Sequence, residues 1–260
     1  MSTIISLEAA KFSKLLTILS VLSKSCSDLV VRGGKVCQAS DRRSALFLCD
    51  FSTFLETSDL LLSNLPQKCE LLDPFKRQGS NIDIVFDDDS YIFQDQDQES
   101  NTQLRFMKPL ERYLTNNYIS ETELANKLKL KEDSVIFEAV FEKKMIERLS
   151  VFSKGLASSI ISVQFRDSKA TFKIKASDNQ QTTTARLISF DLNVDNIEGE
   201  CGFPIQAFLF GDKIEISCHE KDVAEGEQPM LYLKLKTNLD QSNDDSMIEI
   251  WCYSLLTPFE

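Results

Sequence analysis

The sequence predicts an α+β chain built as two tandem copies of one unit, an amphipathic helix followed by antiparallel strands, and three observations predict it. An apolar stripe with a 3.6-residue period near the start of the chain returns at its middle. A strand hairpin follows each stripe. A short phrase then closes each hairpin, Ala39-Ser40-Asp41 in the first copy and Ala176-Ser177-Asp178 in the second. A chain of 260 residues has room for one large domain or two ordinary ones, and the repeat decides for two.

The first stripe runs through Phe12, Leu15, Leu16, Leu19 and Leu22, with Ser6 or Glu8 available near the helix start. Alternating strands follow over 29–38, broken at Gly33-Gly34, the residue pair a tight hairpin turn demands. A further strand spans 44–49. Leu60, Leu61 and Leu62 precede a short second helix over 67–72, which Pro74 is expected to interrupt. Strands at 82–86, 91–93 and 103–107 complete the unit.

The second stripe is Met145, Ile146, Leu149, Phe152 and Leu156. Ser20-Val21-Leu22-Ser23-Lys24 is echoed by Ser150-Val151-Phe152-Ser153-Lys154, an offset of 150 − 20 = 130 residues, half the chain. The hairpin over 160–174 turns at Arg166-Asp167-Ser168-Lys169, and a strand over 184–190 follows. Residues 204–210 occupy the slot of the second helix, and strands at 213–217, 230–235 and 248–253 close the chain. Between the copies, 108–133 fits neither unit and contains the polar stretch 120–127, which can start a short helix. The expected organisation is therefore 1–107, a connector over 108–133, and 134–260.

The net charge of −11 excludes a uniformly basic surface, but not a local basic face inside an acidic shell. Seven cysteines stand singly, without a C-x-x-C pair, as reduced thiols do in an intracellular protein. The N-terminus lacks a basic region followed by an apolar core, and no apolar run approaches the roughly 20 residues that span a bilayer, so a soluble chain is expected. No constellation asks for catalysis, a metal or a cofactor: there is no phosphate-binding glycine loop, no G-x-G-x-x-G and no G-x-S-x-G. The lone His219 cannot supply a multi-histidine metal site, and Asp87-Asp88-Asp89 between two strands reads as an acidic hairpin loop before it reads as a cation site.

Two helix, hairpin, helix, strand units joined by one long connector resemble the DNA sliding clamps of the tailed-phage and proliferating cell nuclear antigen type. The local marks are Gln38-Ala39-Ser40-Asp41, similar to the family's Gln-x-x-Asp segment, and Trp251-Cys252-Tyr253-Ser254-Leu255, similar to its last aromatic-rich strand. The resemblance implies a homotrimeric ring with antiparallel sheets outside and helices inside, threaded by double-stranded DNA without regard to sequence. Its partners would be a DNA polymerase and a clamp loader. Its setting would be the cytoplasm of a bacterial or phage-infected cell, or the nucleus of a eukaryote.

It also assigns roles. Lys11, Lys14 and Lys24 from the first helix, Lys143, Lys144, Arg148 and Lys154 from the second, and Lys68, Lys76 and Arg77 from the shorter helix region would face phosphates, with Glu8, Glu142 and Glu147 sharing that side. Tyr253, Leu255, Leu256 and Pro258, with Ala39 or Ser40 and Leu128 or Leu130, match the pocket where such clamps take partner motifs. Two other functions remain open at this level. One is a clamp-fold monomeric accessory or scaffold that does not encircle DNA, and the other is a metal-dependent hydrolase or nuclease using the acidic loops.

Overall fold

The structure is a computed structural model that describes residues 3–41, 45–96, 102–110, 118–120, 122–123, 126, 128–176, 183–194, 197–209, 211–222, 227–238 and 247–258. Ser177-Asp178 of the second phrase, part of the polar stretch over 120–127, and Phe210 lie outside the described residues. The chain forms two compact units. One is built from Met1–Arg42 and Phe47–Ile119, the other from Ser120–Gln241 and Met247–Glu260, with short exchanges at Arg43–Leu46 and Ser242–Ser246.

In the first unit the chain opens with β1 (Thr3–Leu7), a strand that its few residues did not announce. It lies at the edge of an antiparallel sheet β1-β6-β7-β8, with β6 at Ile82–Phe86, β7 at Ser90–Asp95 and β8 at Gln103–Met107. Ile5 pairs with Ile84 and Ile84 with Phe93, a buried row across three strands. Helix α1 (Ala9–Leu22) buries the whole stripe from Phe12 to Leu22. Neither proposed cap serves it. Ser6 sits in β1 and donates to Asp83 at 2.6 Å, Glu8 caps nothing with its side chain, and the free Ala9 N–H is taken by Asn81 Oδ1 at 3.0 Å.

Strands β2 (Leu29–Arg32) and β3 (Lys35–Ala39) form the expected hairpin, followed by β4 (Ala45–Asp50), the single helical turn α2 (Ser52–Leu55) and β5 (Leu60–Leu62), in the sheet order β5-β2-β3-β4. Both turn glycines have positive φ, 54° and 75°. Gly34 is required twice over, since a Cβ there would stand 2.0 Å from the Glu56 carbonyl oxygen. The Gln38-Ala39-Ser40-Asp41 segment also has a mechanical reason. The buried Gln38 amide accepts from the Val30 N–H at 3.1 Å and donates to the Asp28 carbonyl at 2.6 Å, while Asp41 accepts the Ser27 N–H at 2.8 Å. One strand end thereby pins the loop that leads from α1 into β2.

The interruption expected at Pro74 does not occur. Helix α3 runs unbroken over Leu65–Gln78, ending at Gly79 with φ of 70°. Proline forfeits one backbone hydrogen bond, but Leu72 and Phe75 on either side of it are buried, and Phe75 meets Phe12 of α1 edge-on at 6.4 Å. Packing on α1 outweighs the local penalty.

The second unit opens with β9 (Leu130–Glu142), a long strand unforeseen in the sequence, which runs straight into α4 (Lys143–Gly155). Then come β10 (Ile160–Arg166), β11 (Lys169–Lys175), β12 (Thr184–Asp191) and β13 (Gly199–Pro204), in the order β12-β11-β10-β13. The β10–β11 turn repeats the left-handed geometry without glycine, at Asp167 and Ser168 with φ of 54° and 56°. Strands β14 (Lys213–Lys221), β15 (Met230–Asn238) and β16 (Met247–Leu255) complete an antiparallel set β16-β15-β14-β9. Phe137, Phe141, Phe165, Phe172 and Phe208 are fully buried and close the core.

Two expectations fail here. The slot of the second helix holds only η1, one 3-10 turn at Ile205–Phe208, because Pro204 ends β13 and the apolar side chains Ile205, Ala207 and Phe208 are used inward at once. The second stripe is also only partly a core stripe. Ile146 and Leu149 are buried, whereas Val151 is 68% and Phe152 40% exposed; their counterparts at the 130-residue offset, Val21 and Leu22, are 7% and 1% exposed. Among the described residues no helix is long and apolar enough to cross a membrane.

Candidate nucleic-acid interface and partner surface

Charge on this chain is sorted by element. Helix α1 carries net +2, α3 net +1 and α4 net +3, six positive charges together, which leaves −17 for everything else in a chain of −11. On α1, Lys11 is exposed and Lys14 half-buried, and Lys24 is exposed just past its end. Lys76 of α3 donates to Thr17 of α1 at 3.3 Å, so these two helices share one polar side. Arg77 is held by Asp73 one turn back at 2.5 Å. Lys68 lies over the Phe106 ring at 4.5 Å and is thereby committed to its own unit.

On α4 the four cations are all exposed. Lys143 pairs with Asp212 at 3.1 Å. Lys144 and Arg148 stand one turn apart and Lys154 near the C-terminal end, and none of the three has an ion pair among the described residues. Glu147 stands between the first two and weakens the field there.

The proposed partner residues fall into two groups. Ala39 and Ser40 end β3 in the first unit and are buried, 7% and 4% exposed, so they offer little side-chain surface. In the second unit Leu128 and Leu130 are half-buried, the latter at the start of β9 opposite Lys221. Strand alternation puts Tyr253 and Leu255 on one face of β16 and the buried Ile250 and Cys252 on the other. Leu255 is 47% exposed, Pro258 is exposed, and Leu256 turns in, its N–H on the Pro229 carbonyl at 2.9 Å. Ser120 and Glu123 form a reciprocal capping box at 3.1 and 3.2 Å, as the polar stretch promised.

Tyr253 does not stand alone. On the same face its ring lies 6.1 Å from that of Tyr232, Tyr232 lies 6.3 Å from Trp251, and Trp251 lies 5.7 Å from His219. Lys234 sits over the Trp251 ring at 4.8 Å and pairs with Glu249 at 3.0 Å, and the Trp251 indole donates to Glu249 at 2.6 Å. His219 Nε2 shares a hydrogen bond with the Ser217 hydroxyl at 2.9 Å. Burial first, and then the Lys234 ammonium, hold the imidazole below its ordinary pKa, with Glu138 and Glu249 opposing. The sequence did carry a signal for this face, since 217/219, 232/234/236 and 249/251/253 alternate out of three neighbouring strands.

No family model matches the chain, and no curated protein does. Among solved structures it is similar to the proliferating cellular nuclear antigen of Entamoeba histolytica, at 12% identity and a TM-score of 0.58, covering 98% of both chains. It is likewise similar to the PCNA2–PCNA3 complex of Sulfolobus tokodaii, at 11% identity and a TM-score of 0.56, covering 97% of this chain and 99% of that one. The chain has the two-domain sliding clamp fold of the PCNA type.

Proposed function

We propose that this chain is a subunit of a DNA sliding clamp, a non-catalytic processivity factor that encircles duplex DNA and tethers a polymerase delivered with the help of a clamp loader. The observation that carries the reading is the sorting of charge: the long helices are net positive in a chain that is otherwise strongly acidic. Cations on helix surfaces meet phosphates without reading bases, which suits a ring that must move along DNA. Lys11, Lys14, Lys24, Lys76, Arg77, Lys143, Lys144, Arg148 and Lys154 are the proposed contacts, and Tyr253, Leu255, Leu256, Pro258, Leu128 and Leu130, with Ala39 and Ser40, the proposed partner surface. The proposed division is 1–107, a connector over 108–133, and 134–260. The ring would work wherever the DNA is copied, in a bacterial or phage-infected cytoplasm or in a nucleus.

Three copies would close the ring. The exposed Val151 and Phe152 on α4 and the outer edges of β8 and β12 are surfaces a neighbouring copy would cover. The mass in solution is expected at about three times 29.5 kDa. Phe152→Asp, at a position already 40% exposed, is expected to leave the subunit folded while reducing the mass to that of one chain. A strict monomer across micromolar concentrations would favour the accessory or scaffold function instead, and an unchanged mass in the variant would move the interface elsewhere.

A further inference from the structure

Residues of β9, β12, β14 and β15 line a cavity of about 580 Å³, well within the range of small-molecule clefts, and all of them belong to the second unit. Strand register explains its lining. Ser217 stands opposite Glu138 on one side and Lys234 on the other, while Glu215 stands opposite Val140 and Lys236. His219 stands next along β14, and Ala139, Val140, Ile216 and Phe190 supply an apolar wall.

Among the described residues the ion pairs around the cavity leave one cation, Lys236, and one carboxylate, Glu138, over. Glu215 is engaged by Lys213 at 3.7 Å and Glu249 by Lys234 at 3.0 Å, so Lys236, half-buried between those two carboxylates in the register, has no ion pair among the described residues. The Ser217 hydroxyl and the His219 ring line the cavity with it. The Lys236 ammonium is a donor, and because the Ser217 hydroxyl and His219 Nε2 already share one hydrogen bond, those two side chains keep one further donor between them; a carboxylate is the side-chain group that only accepts. Glu138 and Glu215, which line the cavity too, would repel a second negative charge, and the apolar wall favours an apolar stem.

We infer that this cavity is a binding site for a monocarboxylate with an apolar or aromatic stem. The Tyr253–Tyr232–Trp251–His219 row of rings leads to it from the partner surface, so in the clamp reading, on which this last step rests, the ligand is an acidic residue of the segment docked at Tyr253.

A carboxylate seated here favours the protonated imidazole. The groups facing His219 are Ser217 on its own strand, Glu138 on β9, Tyr232 and Lys234 on β15, and Glu249 and Trp251 on β16. Binding therefore raises the His219 pKa, and affinity increases as pH falls from above the bound pKa to below the free one.

His219 is the single histidine of the chain, so its ring protons report without ambiguity in NMR spectra. With the full-length protein and N-acetyl-phenylalanine as probe, we expect saturable shifts of the His219 signals and a titration midpoint raised by at least about half a pH unit. The neutral probe N-acetyl-phenylalaninamide should leave both unchanged. Lys236→Ala should weaken binding of the carboxylate at least about threefold. Lys236 is half-buried, and dispersed amide and methyl signals in the same spectra verify that the variant is folded. Equal shifts from acid and amide, no shift from either, or indifference to Lys236→Ala would overturn the site. Loss of trimer or of DNA retention would overturn the clamp reading while leaving these shifts in place, so the two failures are distinguishable.

Discussion

Replacing Phe172 with alanine is expected to destabilise the second unit by about 3–5 kcal/mol, the usual cost of emptying a large aromatic site in a packed core. Phe172 is fully buried, and its ring meets four others edge-on: Phe141 at 5.1 Å, Phe137 at 5.8 Å, Phe190 at 5.9 Å and Phe208 at 6.3 Å. These rings come from β9, β12 and η1, so the void cannot close by moving one side chain. The only tryptophan, Trp251, lies in the second unit, so its fluorescence reports on that unit during urea unfolding. The Trp251 midpoint should fall steeply, while a probe of the first unit should move less. An unchanged Trp251 midpoint would mean that the aromatic cluster does not hold this unit together.

The second large effect is on DNA. Reversing Lys144 and Arg148 to glutamate takes α4 from net +3 to −1. If both cations meet phosphates, two counterion-releasing contacts disappear, and the slope of log affinity against log salt should shrink by about 1.8. Retention on closed circular DNA after loading should drop at least about tenfold near 100 mM salt. Both side chains are exposed, so the oligomer should persist, as sedimentation can verify. Retention equal to that of the parent would place the DNA-facing side elsewhere.

The elements that could be read from the sequence were those with a strong period or an obligatory turn. Helix α1 and the hairpins at Gly33-Gly34 and Asp167-Ser168 stand where their patterns put them. Four strands escaped: β1 and β5 show no polar–apolar alternation, β13 carries Gly199, Gly202 and Pro204, which disfavour a strand, and β9 runs into α4 without a turn residue to separate them. Helix α3 was underestimated because Pro74 is a local signal and the burial of Leu72 and Phe75 is a tertiary one. For η1 the error is reversed, since an apolar run of helical length was spent on a single turn and the core beneath it.

For the candidate sites, cation positions were legible and their engagements were not. Lys143 and Arg77 find carboxylates at Asp212 and Asp73, and Lys68 finds the Phe106 ring, contacts that depend on chain geometry and not on helical spacing alone. The face around His219 needed three strands in register before its residues became neighbours. Strand alternation marked the residues of this face, and only the register between strands made His219 a neighbour of Trp251 and Tyr232.

Each unit also carries its own set of clocks. Cys26, Cys37, Cys49 and Cys69 lie in the first unit and Cys201, Cys218 and Cys252 in the second, all as free thiols and all buried except the half-buried Cys37. Burial lifts Cys26 and Cys201 to about 12 and pushes Cys49, Cys218 and Cys252 up as well, so in the closed state almost no thiolate exists to react. Modification of these positions has to wait for the surrounding structure to open. Thiols at distinct depths in separate cores thus make the chain its own recorder of how often, and in which half, it breathes.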